Sequence, residues 1–73
     1  MNILRTLNDS NISYVAKKIY LYFIEHSGTV SKQDLEEKFS LKENQLNNFI
    51  GELAKNGLIR FEGNRTEIEV ELI

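Results

Sequence analysis

Four side-chain amides lie within five residues of this chain, at Asn44, Gln45, Asn47 and Asn48. An amide both donates and accepts hydrogen bonds, and in the major groove of DNA such a group can pair in bidentate fashion with adenine. Asparagine is also a poor helix former, so its density in a helix has a cost that glutamate or lysine would avoid. The cluster indicates either base recognition or a solvated polar face in an asparagine-rich chain, and both interpretations stay open.

Other residue types limit the possible chemistry. The chain has no cysteine and a single histidine, His26, so a structural zinc site and a Cys- or His-based nucleophile lack the necessary groups. Its four glycines are isolated in the sequence, which excludes a glycine-rich phosphate loop. We therefore expect a protein that is not an enzyme and that needs no metal and no small-molecule cofactor, with His26 capping or packing at a helix end.

The first residues and the apolar runs of the chain indicate its cellular location. The first five residues lack the basic start and apolar run of a signal peptide. The longest apolar run, Ile19 to Ile24, has six residues, whereas a membrane helix needs about 20. We expect a cytoplasmic protein with no membrane partner, and the Met1 start favours a complete chain.

Apolar periodicity predicts three helices in one domain of 73 residues. They cover residues 11–26, 31–39 and 41–56 and follow an N-terminal arm of residues 1–8. The residues expected to face inward are Ile12, Val15, Ala16, Ile19, Tyr22 and Phe23 in the first helix, Leu35, Lys38 and Phe39 in the second, and Leu46, Phe49, Ile50 and Leu53 in the third. Tyr20 is expected at the margin of the first stripe.

Capping residues predict where these helices begin and end. Ser31 begins the second helix, and Ser40 with Glu43 forms a Ser-x-x-Glu capping box for the third. Gly57 ends the third helix in the left-handed conformation. Gly51 lies in the middle of the outward stripe of that helix, where it either allows a DNA backbone or a partner helix to approach closely or has no functional meaning.

The last sixteen residues, 58–73, predict a two-stranded hairpin. Alternation places the apolar Ile68, Val70 and Leu72 on one face and Glu67, Glu69 and Glu71 on the other. Gly63 and Asn64 both tolerate positive φ, which suits a tight turn between the strands. The acidic face is expected to be solvated and to repel phosphate, and Arg60 is expected on the same face, where it can pair with one of the glutamates.

Three segments show a pattern known from one superfamily. Ser31–Phe39 has a polar cap, an inward leucine and a final apolar residue, Leu41–Ile50 has polar residues around a buried leucine, and Asn56–Ile59 leads from the third helix into the hairpin. From Gly28 to about Val70 the chain resembles the winged helix-turn-helix superfamily and is similar to small regulators of the MarR and ArsR families. This resemblance implies an α+β, mostly α, fold: three helices, a short extended link at residues 28–30, and a C-terminal two-stranded wing hairpin.

The resemblance also implies a function and a set of contacts. It implies sequence-specific binding of double-stranded DNA by a small transcriptional regulator, with the third helix in the major groove. The implied DNA contacts are Lys42, Asn44, Gln45 and Asn48 on the third helix, Ser31 and Lys32 at the start of the second, and Asn64 and Arg65 at the wing tip; Lys55 is a further basic residue that such a fold brings near the third helix. The alternative is a winged helix that binds a protein and no DNA, which the formal net charge of −2 favours.

Apolar residues outside the predicted core predict a homodimer. They are Leu4, Leu7, Tyr14, Leu21 and Ile24. A dimer could read two half-sites one helical turn of DNA apart. The alternative is that the N-terminal arm folds back over these side chains and completes a single core.

Overall fold

The computed structural model describes residues 3–26 and 28–73, which form four helices and one three-stranded antiparallel sheet. About half of the chain is helical, in agreement with the predicted α+β class. The helices are α1 (Ile3–Leu7), α2 (Tyr14–Glu25), α3 (Lys32–Phe39) and α4 (Glu43–Lys55), and the strands are β1 (Gly28–Ser31), β2 (Ile59–Gly63) and β3 (Glu67–Leu72).

Two elements differ from the predicted plan of three helices and two strands. Residues 3–7 of the predicted arm form the helix α1, while residues 1 and 2 lie outside the described residues. The predicted extended link is the strand β1, which pairs antiparallel with β3 from Gly28 opposite Val70 to Ser31 opposite Glu67. Pairing with β3 satisfies backbone groups that a short extended segment cannot satisfy by itself.

The first long helix begins later than predicted. Its N-cap is Ser13, whose Oγ accepts a hydrogen bond from the N–H of Ala16 at 3.3 Å. The preceding residues form a turn instead, in which Oδ1 of Asp9 accepts a bond from the N–H of Asn11 at 2.9 Å. The helix ends at Glu25 with His26 as its C-cap, close to the predicted end at residue 26.

The predicted cap of α3 is confirmed, and the predicted cap of α4 is wrong. The Oγ of Ser31 accepts a hydrogen bond from the N–H of Asp34 at 3.3 Å. Ser40, however, is the C-cap of α3 in the left-handed conformation at φ 54°, so it reverses the chain rather than starting the next helix. The N-cap of α4 is Lys42, whose N–H donates to Oε1 of Gln45 at 3.0 Å.

One core lies between the helices and the inner face of the sheet. Its buried members match most of the predicted stripes: Ile12, Ala16, Ile19, Phe23, Leu35, Leu46, Ile50 and Leu53, with Val30, Ile59, Ile68 and Val70 from the strands. Tyr20, predicted at the margin, is completely buried, and its hydroxyl has no hydrogen-bond partner among the residues that the structure describes. Lys38, predicted to face inward, is exposed with its ammonium 5.8 Å from the ring centre of Tyr22.

The sheet has the strand order β1-β3-β2, so β3 lies in the middle. Its outer face carries Glu67, Glu69 and Glu71, as predicted, and Arg60 lies directly opposite Glu71. The hairpin turn differs from the prediction because Gly63 belongs to β2 and neither Gly63 nor Asn64 has positive φ. The Asn64 side chain makes the turn instead: its Oδ1 accepts bonds from the N–H groups of Thr66 and Glu67 at 2.9 and 2.8 Å.

Candidate nucleic-acid interface

The outward side of α4 carries a stripe of small and polar residues, Asn44, Asn48, Gly51 and Lys55, spaced by four, three and four positions. This spacing keeps the four residues on one side of a helix. The opposite side is fixed in the core by Leu46, Ile50 and Leu53. The three polar side chains are exposed, and the stripe extends roughly 16 Å along the helix at 1.5 Å per residue. We call these four residues the α4 stripe.

Both glutamates of α4 lie away from the α4 stripe. Glu43 is the first residue of the helix and points to one flank. Glu52 lies on the other flank, where its two carboxylate oxygens accept bonds from the N–H and the Oγ–H of Ser13 at 2.7 and 3.0 Å. The four positions of the α4 stripe therefore offer amides and one ammonium group and include no carboxylate.

Three of the predicted contact residues have a structural task in the fold. The Oγ of Ser31 caps α3, Oε1 of Gln45 accepts the N–H of Lys42, and Oδ1 of Asn64 holds the hairpin turn. Oδ1 of Asn64 already accepts two N–H groups, so Asn64 can offer a ligand only its amide N–H groups, whereas Oε1 of Gln45 accepts one bond and keeps one lone pair. The predicted contacts whose side chains are exposed without such a task are Lys42, Asn44, Asn48, Lys55 and Arg65.

The start of α3 is joined to the tip of the hairpin. The N–H of Lys32 donates to the carbonyl oxygen of Thr66 at 2.8 Å. The Lys32 side chain lies beside Gly63, since its Cε and Nζ are 3.7 and 3.8 Å from the place that a Cβ would occupy there. Lys32 and Arg65 thus belong to one region, whereas Lys42 and Lys55 lie at opposite ends of α4, roughly 20 Å apart.

The predicted dimer surface is only partly present. Leu4 in α1 is 73% exposed, and Tyr14 and Leu21 in α2 are 71% and 39% exposed, so α1 leaves these two side chains of α2 largely uncovered. Leu7 and Ile24 are half-buried, and Ile24 packs against the core. A homodimer through this surface stays a prediction.

The described residues offer neither a cluster of metal ligands nor a membrane-spanning helix. No group of three or more His, Asp or Glu residues in 3–26 and 28–73 could hold a metal ion. Within the same ranges, every helix is too short or too polar to cross a membrane. His26 is exposed and packs its ring against Tyr22, with ring centres 4.5 Å apart.

Sequence reasoning missed Glu52 as a structural residue. Its partner, Ser13, lies 39 positions away in the chain, and no local pattern joins the two. A glutamate on the flank of an amphipathic helix is an ordinary solvated residue in any local interpretation. Only the packing of α2 against α4 brings the carboxylate to the start of α2, where the N-terminal end of the helix dipole favours a negative charge.

No protein-family model, no curated protein and no solved structure matches the chain. The resemblance to winged helices therefore stays an interpretation of the residues quoted for it. A functional assignment depends on the geometry and charge of the chain itself.

A substitution at Gly51 tests whether the α4 stripe is uncovered. A Cβ added to Gly51 would meet nothing within 4 Å, and the residue has ordinary helical φ. We expect Gly51→Ala to raise the free energy of unfolding by about 0.5–1 kcal/mol, because alanine loses less backbone entropy in a helix. Urea denaturation followed by circular dichroism measures the change.

Gly57→Ala is the matched control for this substitution. The space around Gly57 is equally open, but its φ of +74° is in the left-handed region, where a Cβ is strained. Gly57→Ala should therefore lower the stability that Gly51→Ala raises. A loss of stability in Gly51→Ala would show that the stripe is covered by another part of the molecule.

Proposed function

We propose that this chain is a winged helix-turn-helix domain that binds double-stranded DNA with α4 in the major groove. The order of its elements supports the proposal: α3 and α4 are joined by the three residues 40–42, and a β-hairpin follows α4. Two helices joined by a turn of three or four residues are typical of helix-turn-helix proteins. The uncovered α4 stripe is the observation that carries the proposal.

The residues of α4 would make two kinds of contact, with base edges and with phosphates. Asn44 and Asn48 lie one turn apart on the exposed side, so both amides can reach base edges in a groove about 12 Å wide. Lys42 precedes the helix and Lys55 ends it, and these two ammonium groups would hold phosphates on either side of the groove. Phosphate contacts fix the position of the protein, whereas base contacts give it sequence preference.

The hairpin would supply a second group of contacts. Arg65 is exposed at the tip, and Lys32 lies against the same hairpin. An arginine at this place can enter the minor groove or bind the backbone beside the groove that holds α4. The bond from the backbone N–H of Lys32 to Thr66 places this residue at the hairpin tip, and its side chain extends past Gly63.

The acidic outer face of the sheet sets the orientation of the complex. Glu67, Glu69 and Glu71 point away from the helices, and a duplex on that side would meet a row of negative charges. The duplex therefore approaches from the helical side. This separation of charge also makes the overall charge of −2 compatible with binding, because the field near α4 is set by local groups.

Fluorescence anisotropy with mixed-sequence duplexes tests the proposal. We expect binding that weakens steeply between about 50 and 200 mM salt, as counterion release requires. Lys42→Ala should weaken binding to all sequences and reduce the salt slope by about 1. Asn48→Ala should instead reduce the preference for the favoured sequence, by about 1–3 kcal/mol.

Lys18→Ala is the control for Lys42→Ala. It removes the same charge from α2, where the Lys18 ammonium lies 4.6 Å from the ring centre of Tyr14 and away from α4. Equal losses in the two variants would mean that only the total charge matters. The absence of duplex binding at about 50 mM salt would contradict the proposal and favour a winged helix that binds proteins, which the acidic sheet face would suit.

A further inference from the structure

The strand β2 has a free edge. It lies at the end of the β1-β3-β2 order, and within the described residues its strand pairing is with β3 alone. On the β3 side, the carbonyl of Leu58 accepts the N–H of Ile73, and the N–H of Asn64 donates to Glu67, both at 3.0 Å. Because bonding alternates along an antiparallel strand, the even-numbered residues of β2 face β3. The backbone N–H and C=O groups of Ile59, Phe61 and Gly63 therefore point to the open edge.

Along β2 the side chains alternate between the outer and inner faces of the sheet, and Arg60 and Glu62 on the outer face carry opposite charges. Arg60 and Glu62 are exposed on the outer face of the sheet, on either side of Phe61. Phe61 lies opposite Val70 and so belongs to the inner face, yet it is 42% exposed because the helices do not cover the edge strand there. Glu62 lies directly opposite Glu69 in the neighbouring strand, a like-charge pair that is unfavourable as it stands.

We propose that a second copy of this chain binds along β2, antiparallel, with Phe61 on the two-fold axis. In this register the two Phe61 residues exchange backbone hydrogen bonds, and Ile59 exchanges bonds with Gly63 of the partner subunit. All six backbone bonds use groups that already point to the free edge. The product is a continuous six-stranded sheet.

The charges of the edge are complementary in this register. Arg60 lies opposite Glu62 of the partner subunit, and the symmetry repeats the pair on the other side of the axis. Both pairs are at non-hydrogen-bonded positions, where the Cβ atoms are closest, about 4.5–5.5 Å apart. Each partner arginine would also offset the repulsion between Glu62 and Glu69.

A second copy fits this edge better than an unrelated strand does. Arg60 and Glu62 lie one residue to either side of Phe61. When two copies pair antiparallel about Phe61, each arginine lies opposite a glutamate, so the edge is complementary to itself. The apolar Phe61 lies at the centre, where both copies would bury it. Proteins commonly protect a free edge with charges that repel a second strand, but the Arg60–Glu62 arrangement attracts one.

Sedimentation velocity on the full chain and two charge variants tests this interface. We expect the wild-type chain to form dimers at about 100 μM. Arg60→Glu makes both edge charges negative and Glu62→Arg makes both positive, so each variant alone should lose at least about tenfold in dimer affinity. An equimolar mixture of the two restores both opposite-charge pairs, and we expect it to recover a heterodimer as stable as the wild-type dimer.

The variants also separate an interface effect from a folding effect. Glu62→Arg removes the like-charge pair with Glu69 and should fold at least as well as the wild type, so its self-association is decisive even if Arg60→Glu folds poorly. A wild-type chain that stays monomeric to about 1 mM would overturn the proposal. Dimerisation of Glu62→Arg with wild-type affinity would also overturn the proposal. A dimer that persists in both charge variants but is lost in Leu21→Glu would overturn it too, and would assign the interface to the helical surface.

Discussion

Replacing Phe23 by alanine is expected to remove a large part of the stability of this domain. The side chain is completely buried in α2 and packs edge-to-face against Tyr22, with ring centres 6.4 Å apart. A Phe-to-Ala change in a core costs about 3–5 kcal/mol. At 0.05–0.15 kcal/mol per residue, a domain of this size has about 4–11 kcal/mol in total, so we expect a fraction of the variant to be unfolded at room temperature. Urea denaturation followed by circular dichroism measures the loss.

Phe61→Ala is the matched control for this prediction. It makes the same chemical change at a phenylalanine that is 42% exposed on the edge strand. At a concentration low enough to keep the chain monomeric, we expect a loss of less than about 1 kcal/mol, since surface substitutions have small effects. Equal losses in the two variants would contradict the assignment of Phe23 to the core and Phe61 to the open edge.

The helices and most of the core follow from the sequence because their pattern is local. In α4, Leu46, Ile50 and Leu53 recur at helical spacing, and the same spacing places Asn44 and Asn48 on the outward side. The cap at Ser31 is local as well, because its bond partner is only three residues away. Features of this kind need no knowledge of the rest of the fold.

The predictions that were wrong concern structures that depend on residues far away in the chain, or positions where two local structures compete. β1 is a strand only because β3, nearly forty residues later, pairs with it. Tyr20 is buried because the helix is covered more widely than its most apolar stripe indicates. Ser40 looks like the start of a helix, but Leu41 bonds back to the carbonyl of Glu36 at 2.9 Å and closes α3 instead.

The exposure of Asn44 and Asn48 could be predicted from the sequence, whereas the hydrogen bonds of the other amides could not. The run of amides indicated which surface of α4 to consider, and the exposed Asn44 and Asn48 agree with it. Two other predicted contacts, Gln45 and Asn64, use their oxygens in a helix cap and a hairpin turn. Asparagine and glutamine bond readily to nearby backbone groups, so a sequence alone does not tell which amides stay free for a ligand.

The distribution of carboxylates gives the surface its polarity. The glutamates of β3 face outward on the sheet, while Glu52 is turned toward Ser13 and away from the α4 stripe. A single interaction thus serves both the fold and the proposed interface.

Replacing Glu52 by alanine is therefore expected to destabilise the fold strongly for a residue that is only half-buried. The carboxylate accepts bonds from the N–H and the hydroxyl of Ser13 at 2.7 and 3.0 Å and joins α4 to the start of α2. Hydrogen bonds to a charged group contribute about 1.5–3 kcal/mol, and the helix N-terminus adds a smaller favourable term. We expect a loss of about 2 kcal/mol in the free energy of unfolding, measured by urea denaturation.

A control variant and a double-mutant cycle show whether this loss comes from the contact with Ser13. Glu37→Ala makes the same change at an exposed position of α3, where the carboxylate accepts a hydrogen bond from the Gln33 amide at 3.2 Å, and it should change stability by less than about 0.5 kcal/mol. Ser13→Ala removes the hydroxyl donor and leaves the backbone N–H of residue 13 in place. The double variant should lose less than the sum of the two single variants, because the bond between the hydroxyl and the carboxylate is then counted once. Additive losses would mean that the Glu52 carboxylate and the Ser13 hydroxyl act independently, and the bond from the N–H of residue 13 would then be the remaining polar contact of Glu52 with α2.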